Sequence, residues 1–229
     1  MLLLAIDTAG PDCAVAFARA GPGGAEILFR ITERIGRGHA ERLMPMIEVA
    51  LERAGIAFAD PERIAVTTGP GSFTGVRVGI AAARGLALAL DIPAVGVGSL
   101  DAFARPVSRA YKTGTVVAAL DAKRGEVYVL ARDLASGAAM IEATAVPIDD
   151  VAQRLGRARH PILLTGSGAP IVAAALGGEG ISIDGTAESP DIDDVAALGL
   201  RAEEESAPIP LYLRGADAKP QAGKALALQ

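Results

Sequence analysis

TTGPGSFTGVRVGIAAARGLALAL, residues 67–90, joins an apolar strand to a helix through a turn punctuated by Gly69, Pro70 and Gly71. Such a stretch suits a phosphate cradle, a catalytic turn, or a face pressed against another helix or protein. Amides converging near a helix N-terminus favour anions, but the spacing and the lysine of a P-loop are missing. So is the G-x-S-x-G elbow, because Ser72 follows Gly71 directly and the next glycine, Gly75, comes three residues later. A hydrolase triad would need a histidine base, and only His39 and His160 exist. The helix is more informative. Gly75, Gly79, Ala83 and Ala87 recur every four residues as a stripe with almost no side chain, flanked by Val78, Ala82 and Leu86, with Arg77 and Arg84 opposite. Small residues at this spacing permit close backbone approach, by analogy with membrane helices. A helix apolar on most faces needs cover on most faces. Either its own lobe supplies all the cover, or part of it docks on a second subunit.

Outward from this helix, the chain reads as alternating strands and helices. Leu2–Asp7, Ala14–Ala20 and Glu26–Thr32 predict an antiparallel meander. A helix over Ala40–Ala54 carries Leu43, Ile47, Ala50 and Leu51 on one face, and Pro45 implies a kink or a late start. Ile64–Thr68 and Ala94–Val97 are strands, with a helix near Leu100–Ala104. The pattern then restarts with strands Val116–Leu120, Glu126–Arg132 and Met140–Val146, helix Asp149–Leu155, strand Ile162–Thr165 and helix Pro170–Leu176. A last helix spans Asp191–Glu205, acidic at its start. LLLAIDTAGPDCAVAFAR resembles VVAALDAKRGEVYVLAR, and both first strands end in aspartate, Asp7 and Asp121, half a chain apart. This suggests a duplicated α/β fold of two lobes, residues 1–106 and 107–229 with its C-terminal helix and tail. Chance similarity of two apolar strands is the competing explanation.

Composition narrows the function. The 229 residues carry a formal net charge of −5, with five Phe, three Tyr and no Trp. No Lys/Arg run exceeds two residues, so the chain alone is not expected to grip a polyanion, and an aromatic groove for single strands is unlike it. One cysteine, Cys13, excludes an internal disulfide, suits a reducing cytosol and reads as a small buried hydrophobe. The run Val76–Leu90 is shorter than a bilayer span and holds two arginines, so a cytoplasmic protein without a membrane role is expected. Asp7 at a strand end could hold Mg²⁺ beside phosphate, or simply cap a turn. His39 opens a helix and suits a structural role as well as a ligand's. DAKRGE, residues 121–126, reads as a solvated hairpin.

AIDTAG, GHAERLMPMI, VTTGPGSFTGVRVGIAAARGLALAL, ALDAKRGEVY and PLYLR together resemble the bacterial TsaB (YeaZ) family, from Leu2 to about Ala216. The resemblance implies an actin-like (ASKHA, RNase-H-like) duplicated fold and a role in threonylcarbamoylating the adenosine beside the anticodon of tRNAs that read codons starting with A. It implies a non-catalytic subunit that pairs with its paralogue TsaD, which carries the metal, and works with the ATPase TsaE; tRNA is met through the complex. TsaD-like sequences continue after the glycine-rich helix with V-N-H-M-E-G-H, whose histidines bind the metal. This chain reads VGSLDAF there, with Ser99 and Phe103 at the histidine positions, so no metal or catalytic residue is expected. Bulky DAKRGE stands where TsaD has a Gly-rich phosphate turn. No cofactor is expected, and Asp7 and Thr8 mark at most a vestigial nucleotide site. The expected partner interface comprises Leu43, Met46 and Ile47 of the first helix and Gly75, Val78, Gly79, Ala82, Ala83 and Leu86 of the second, serving TsaD or a homodimer. An actin-like ATPase or small-molecule kinase using Asp7 and Asp121 is the alternative. A residual glycoprotease-like peptidase is a second.

Overall fold

An uninterrupted apolar strand belongs at the centre of a sheet covered on both faces. Leu2–Asp7 (β1) sits there. In the computed structural model, which describes residues 1–204 and 207–214, β1 pairs antiparallel with β2 (Asp12–Gly21) and β2 with β3 (Gly24–Arg34). On its other side β1 runs parallel to β4 (Arg63–Gly69), and β4 to β5 (Ala94–Gly98), giving the order β3-β2-β1-β4-β5. A second sheet repeats the plan with β6 (Thr115–Lys123), β7 (Glu126–Asp133), β8 (Ala139–Pro147), β9 (Ile162–Thr165) and β10 (Ile181–Ile183). Its order, β10-β9-β6-β7-β8, is the first order read from the other end, with the same antiparallel and parallel pairings. The duplicated two-lobe α/β fold expected from the two aspartate-ending strands is present.

Two long helices, α1 (His39–Ala54) and α2 (Phe73–Leu90), cover one face of the first sheet. Leu43, Met46, Ile47, Val76, Ile80 and Ala83 pack there against Leu4, Ile6, Val15 and Phe17. Pro45 neither delays nor ends α1, which starts at His39 and carries the proline on its exposed side. Between the two sheets lie α3 (Ser99–Ala110) and α6 (Ile192–Gly199). The α6 side of the first sheet is lined by Ala5, Ala14, Ala16, Ala18 and Ala65, small enough to admit Ile192, Val195 and Ala196 closely. From α3, Leu100, Phe103 and Val107 pack on Val116, Ala118 and Leu163 of the second sheet, while Ala102 turns to the first. On the second sheet's outer face, α4 (Ile148–Arg154) and α5 (Ala169–Leu176) cover Val117, Ala119, Val129 and Leu164.

The last helix differs from its expected span. It stops at Gly199, and Glu205 lies outside the described residues, as do residues 215–229 of the expected tail. Nor does it stay with the sheet that precedes it: α6 returns to the first sheet, and residue 106, the expected division, lies within α3 between the sheets. Strand β10, the tripeptide Ile181–Ile183, adds an edge strand beyond those expected.

The small stripe of α2 faces inward. A Cβ on Gly75 would lie 2.0 Å from the Thr8 carbonyl oxygen, and one on Gly79 2.5 Å from Thr8 Oγ1. Gly85, on the outer side of the same helix, has open space. Gly75→Ala should therefore destabilise the chain by roughly 1–3 kcal/mol through overpacking, whereas Gly85→Ala should stabilise it by about 0.5–1 kcal/mol through helix propensity. Urea unfolding of both variants checks the opposite signs.

Candidate functional site

The glycine-rich turn is packed onto the β1–β2 turn. The Ser72 amide donates to the Ala9 carbonyl at 2.7 Å, and a Cβ on Gly71 would approach that carbonyl to 2.3 Å. Ser72 caps α2, its Oγ accepting from the Gly75 amide at 3.2 Å. Thr8 Oγ1 donates to the Gly75 carbonyl at 2.7 Å. The glycines thus serve backbone approach to Thr8 and Ala9, and two of the amides a phosphate cradle would offer are engaged internally.

Asp7 and Thr8 are buried. Asp7 Oδ1 accepts from the Ala9 amide at 3.0 Å and from Thr67 Oγ1 at 2.5 Å, while Oδ2 is buried with no partner among the described residues. Burial raises its pKa to about 6, partly opposed by those hydrogen bonds. The nucleotide site expected at these two residues therefore has no open face. Asp121, the matching residue of the second lobe, is held differently. Lys123 donates to it from its amide at 2.8 Å and from Nζ at 2.7 Å, and Asp121's pKa lies below the usual value. Cys13 is buried, with a thiol pushed up to about 11 mainly by burial, and His39 Nε2 donates to the Asp12 carbonyl at 3.2 Å. Among the described residues no group of three His, Cys, Asp or Glu converges.

The residues expected to meet a partner divide sharply. Leu43, Met46, Ile47, Gly75, Gly79, Ala83 and Leu86 are buried within the lobe, so the sheet, not another subunit, covers the small stripe. Val78 and Ala82 are half-buried at its edge. The outer side of α2 carries Phe73, Ala81 and Leu88, the last 85 % exposed, with Arg77 and Arg84 between them. Met44 and Val49 are the exposed large aliphatics of α1. Between the N-terminal ends of the two helices lies an open cleft of about 470 Å³ lined by Arg37, His39, Ser72, Thr74 and Val78. By length and composition α2 could cross a membrane, yet its stripe is packed on the sheet.

Nothing in the spacing of PLYLR, residues 210–214, says where it lies in the fold. The structure uses it as a strap. The Leu211 amide donates to the Thr68 carbonyl at 2.8 Å, and Tyr212 OH accepts from Arg77 Nε at 2.9 Å. The Arg77 guanidinium lies 3.4 Å from the Phe73 ring centre and 5.5 Å from that of Tyr212. Arg214 then reaches the second lobe, donating to the Ala122 carbonyl at 3.3 Å and pairing with Glu126.

The burial of Asp7 has a pH signature. A carboxyl group whose pKa is higher folded than unfolded adds stability that is complete below about pH 4 and lost as pH rises through about 6. Between pH 4 and 7, Asp7→Asn should therefore lose less stability than the parent, by on the order of 2–3 kcal/mol. Urea titrations across that range check the difference, and parallel curves would contradict it.

A family profile described as "TsaD: tRNA N6-adenosine threonylcarbamoyltransferase" matches residues 31–200. An Escherichia coli protein named "tRNA threonylcarbamoyladenosine biosynthesis protein TsaB" is 41 % identical over 128 residues, 56 % of this chain and 53 % of its own. The chain thus matches about half the length of that relative. The Bacillus subtilis protein of the same name is 30 % identical across 96 % of each chain. The structure "YeaZ from Pseudomonas aeruginosa" superposes with a TM-score of 0.73 at 30 % identity, over 93 % of this chain and 99 % of that one. Component A of Acidaminococcus fermentans (R)-2-hydroxyglutaryl-CoA dehydratase, 14 % identical with a TM-score of 0.52 over 88 % and 97 %, shares the actin-like fold alone. With its two matching sheets and relatives along nearly its whole length, the chain belongs to the TsaB (YeaZ) family.

Proposed function

We propose that this chain is a non-catalytic subunit for making threonylcarbamoyladenosine in tRNA, acting in the cytosol as partner and scaffold of the TsaD transferase, with TsaE as a further partner. The observation that carries the proposal is the packing of α3. At the positions where TsaD-like sequences place their metal-binding histidines, Ser99 is 1 % exposed and Phe103 5 % exposed. Phe103 lies among Leu100, Val107, Val116 and Leu163. A phenyl ring in an apolar core offers a metal no donor atom, so transfer chemistry falls to the partner. The names of the Escherichia coli and Bacillus subtilis relatives support the tRNA product.

The outer side of α1 and α2 supports the partnership. Met44, Val78, Ala81, Ala82 and Leu88 leave apolar surface without cover among the described residues, and contiguous exposed apolar surface marks interaction sites. The two-fold patch of a homodimer can equally accept a paralogue of the same fold, so self-association and TsaD binding compete for this side. The contact proposed is the outer face of α2, not its buried stripe.

Ala81→Glu combined with Leu88→Glu tests this. Both positions are exposed, so the melting temperature should stay near that of the parent. Binding to the host's TsaD should weaken at least ten-fold, and threonylcarbamoyladenosine formation by the reconstituted mixture should fall with it. A folded double variant that binds TsaD as tightly as the parent would contradict the proposal.

A further inference from the structure

A second surface differs in chemistry from the α1–α2 side. The C-terminal half of α3, the end of α6 and the turn between β2 and β3 enclose a cleft of about 340 Å³ whose lining includes Arg105, Ser108, Arg109, Lys112 and Arg201. Arg105 is committed, since it pairs with Asp194 of α6. Among the described residues Arg109, Lys112 and Arg201 have no carboxylate within ion-pair distance, although Asp194, held by Arg105, is close enough for its charge to act on Arg109 as well; Lys112 Nζ donates to the Arg109 carbonyl at 3.1 Å. Among the described residues no Asp or Glu lines the cleft. The α3 C-terminus attracts cations but supplies only about half a negative charge, too little to balance three. On a chain of net charge −5, this concentration of unpaired cations stands out.

From this juxtaposition we infer that the cleft binds the phosphate backbone of RNA, here the tRNA of the function proposed above, on which the inference rests. Phosphates recognised by arginine and lysine release counterions and add affinity without reading sequence. The lining fits that mode. Among the described residues it contains no aromatic ring to stack a base. It also lies at the C-terminal end of α3 rather than at a helix N-terminus, so no fan of amides encloses a small phosphate. Long exposed side chains at and just beyond the ends of two helices suit an extended, repeating anion better than a single buried one.

The test uses the full chain assembled with its host's TsaD. Fluorescent tRNA is titrated at a series of potassium chloride concentrations. Arg109→Gln, Lys112→Gln and Arg201→Gln are combined in one variant, and Lys112→Glu alone serves as a milder second. Thermal melts confirm folding, and light scattering confirms that TsaD still binds. The expected result is a loss of tRNA affinity of about ten-fold or more for the triple variant, with the salt dependence of log K reduced by about 2–3. Unchanged affinity and slope in an assembled variant would overturn the cleft and leave the proposed function standing. Titration with pyrophosphate separates the remaining source: a cleft that binds pyrophosphate while tRNA affinity stays constant is a small-anion site, which also overturns the inference. Should the parent fail to bind TsaD, the proposed function fails instead. The same tRNA titration on the chain alone then decides the cleft, supporting it if the glutamines abolish salt-sensitive binding and overturning it if parent and variant agree.

Discussion

Thr8 holds α2 against the first sheet at backbone distance. Its hydroxyl donates to the Gly75 carbonyl, while its own carbonyl and Oγ1 occupy the space where Cβ atoms on Gly75 and Gly79 would stand. One buried hydrogen bond of this kind contributes only about 0.5–1.5 kcal/mol. Its larger consequence is geometric. With the small stripe fixed inward, Val76, Ile80 and Ala83 reach the core, and Phe73, Arg77, Ala81, Arg84 and Leu88 are forced outward. The exposed apolar side proposed as a partner surface is therefore set by the buried side. The strap at residues 210–214 anchors to the same elements, through Thr68 and Arg77, before crossing to the second lobe.

Duplication gave two lobes of one topology, and their differences assign their work. In the first, α1 and α2 have 16 and 18 residues; their counterparts α4 and α5 have 7 and 8. Only the first lobe has helices long enough to cover a sheet and still present a broad outer side. Asp7 and Asp121 diverge in the same way. One is sealed with a raised pKa, whereas the other is half-exposed and held by Lys123 with a lowered one. Both carboxylates are thus engaged by groups of their own turn or sheet, Asp7 by Ala9 and Thr67 and Asp121 by Lys123.

Much of the fold was legible because its signals are local. Continuous apolar runs mark central strands, Gly69, Pro70 and Gly71 mark the turn into α2, and the paired aspartates mark the repeat. The helix from 191 was extended too far because its acidic start was clear while its end depends on the first sheet, a contact of residues far apart in sequence. The small stripe, expected to meet a partner, faces the lobe's own sheet; its spacing leaves this open for a related reason. A four-residue repeat of glycine and alanine says that something approaches closely, but strand and partner helix leave the same pattern. Burial of Leu43, Met46 and Ile47 alongside the stripe decides for the strand. Arg109, Lys112 and Arg201 were illegible as a group, since no run of basic residues exists and only the return of α6 brings Arg201 to α3.

Helix α2 has two faces, one used by its own lobe and one proposed for a partner. The chain's sole cysteine is buried, with its thiol held protonated near neutral pH, so cysteines introduced singly at Gly85 and Ala83 can be read by thiol-labelling rate. Gly85→Cys should label rapidly in the free chain and be protected by saturating TsaD, with Ala83→Cys slow in both states. Equal labelling of Gly85→Cys with and without TsaD, or rapid labelling of Ala83→Cys in a folded chain, would contradict it.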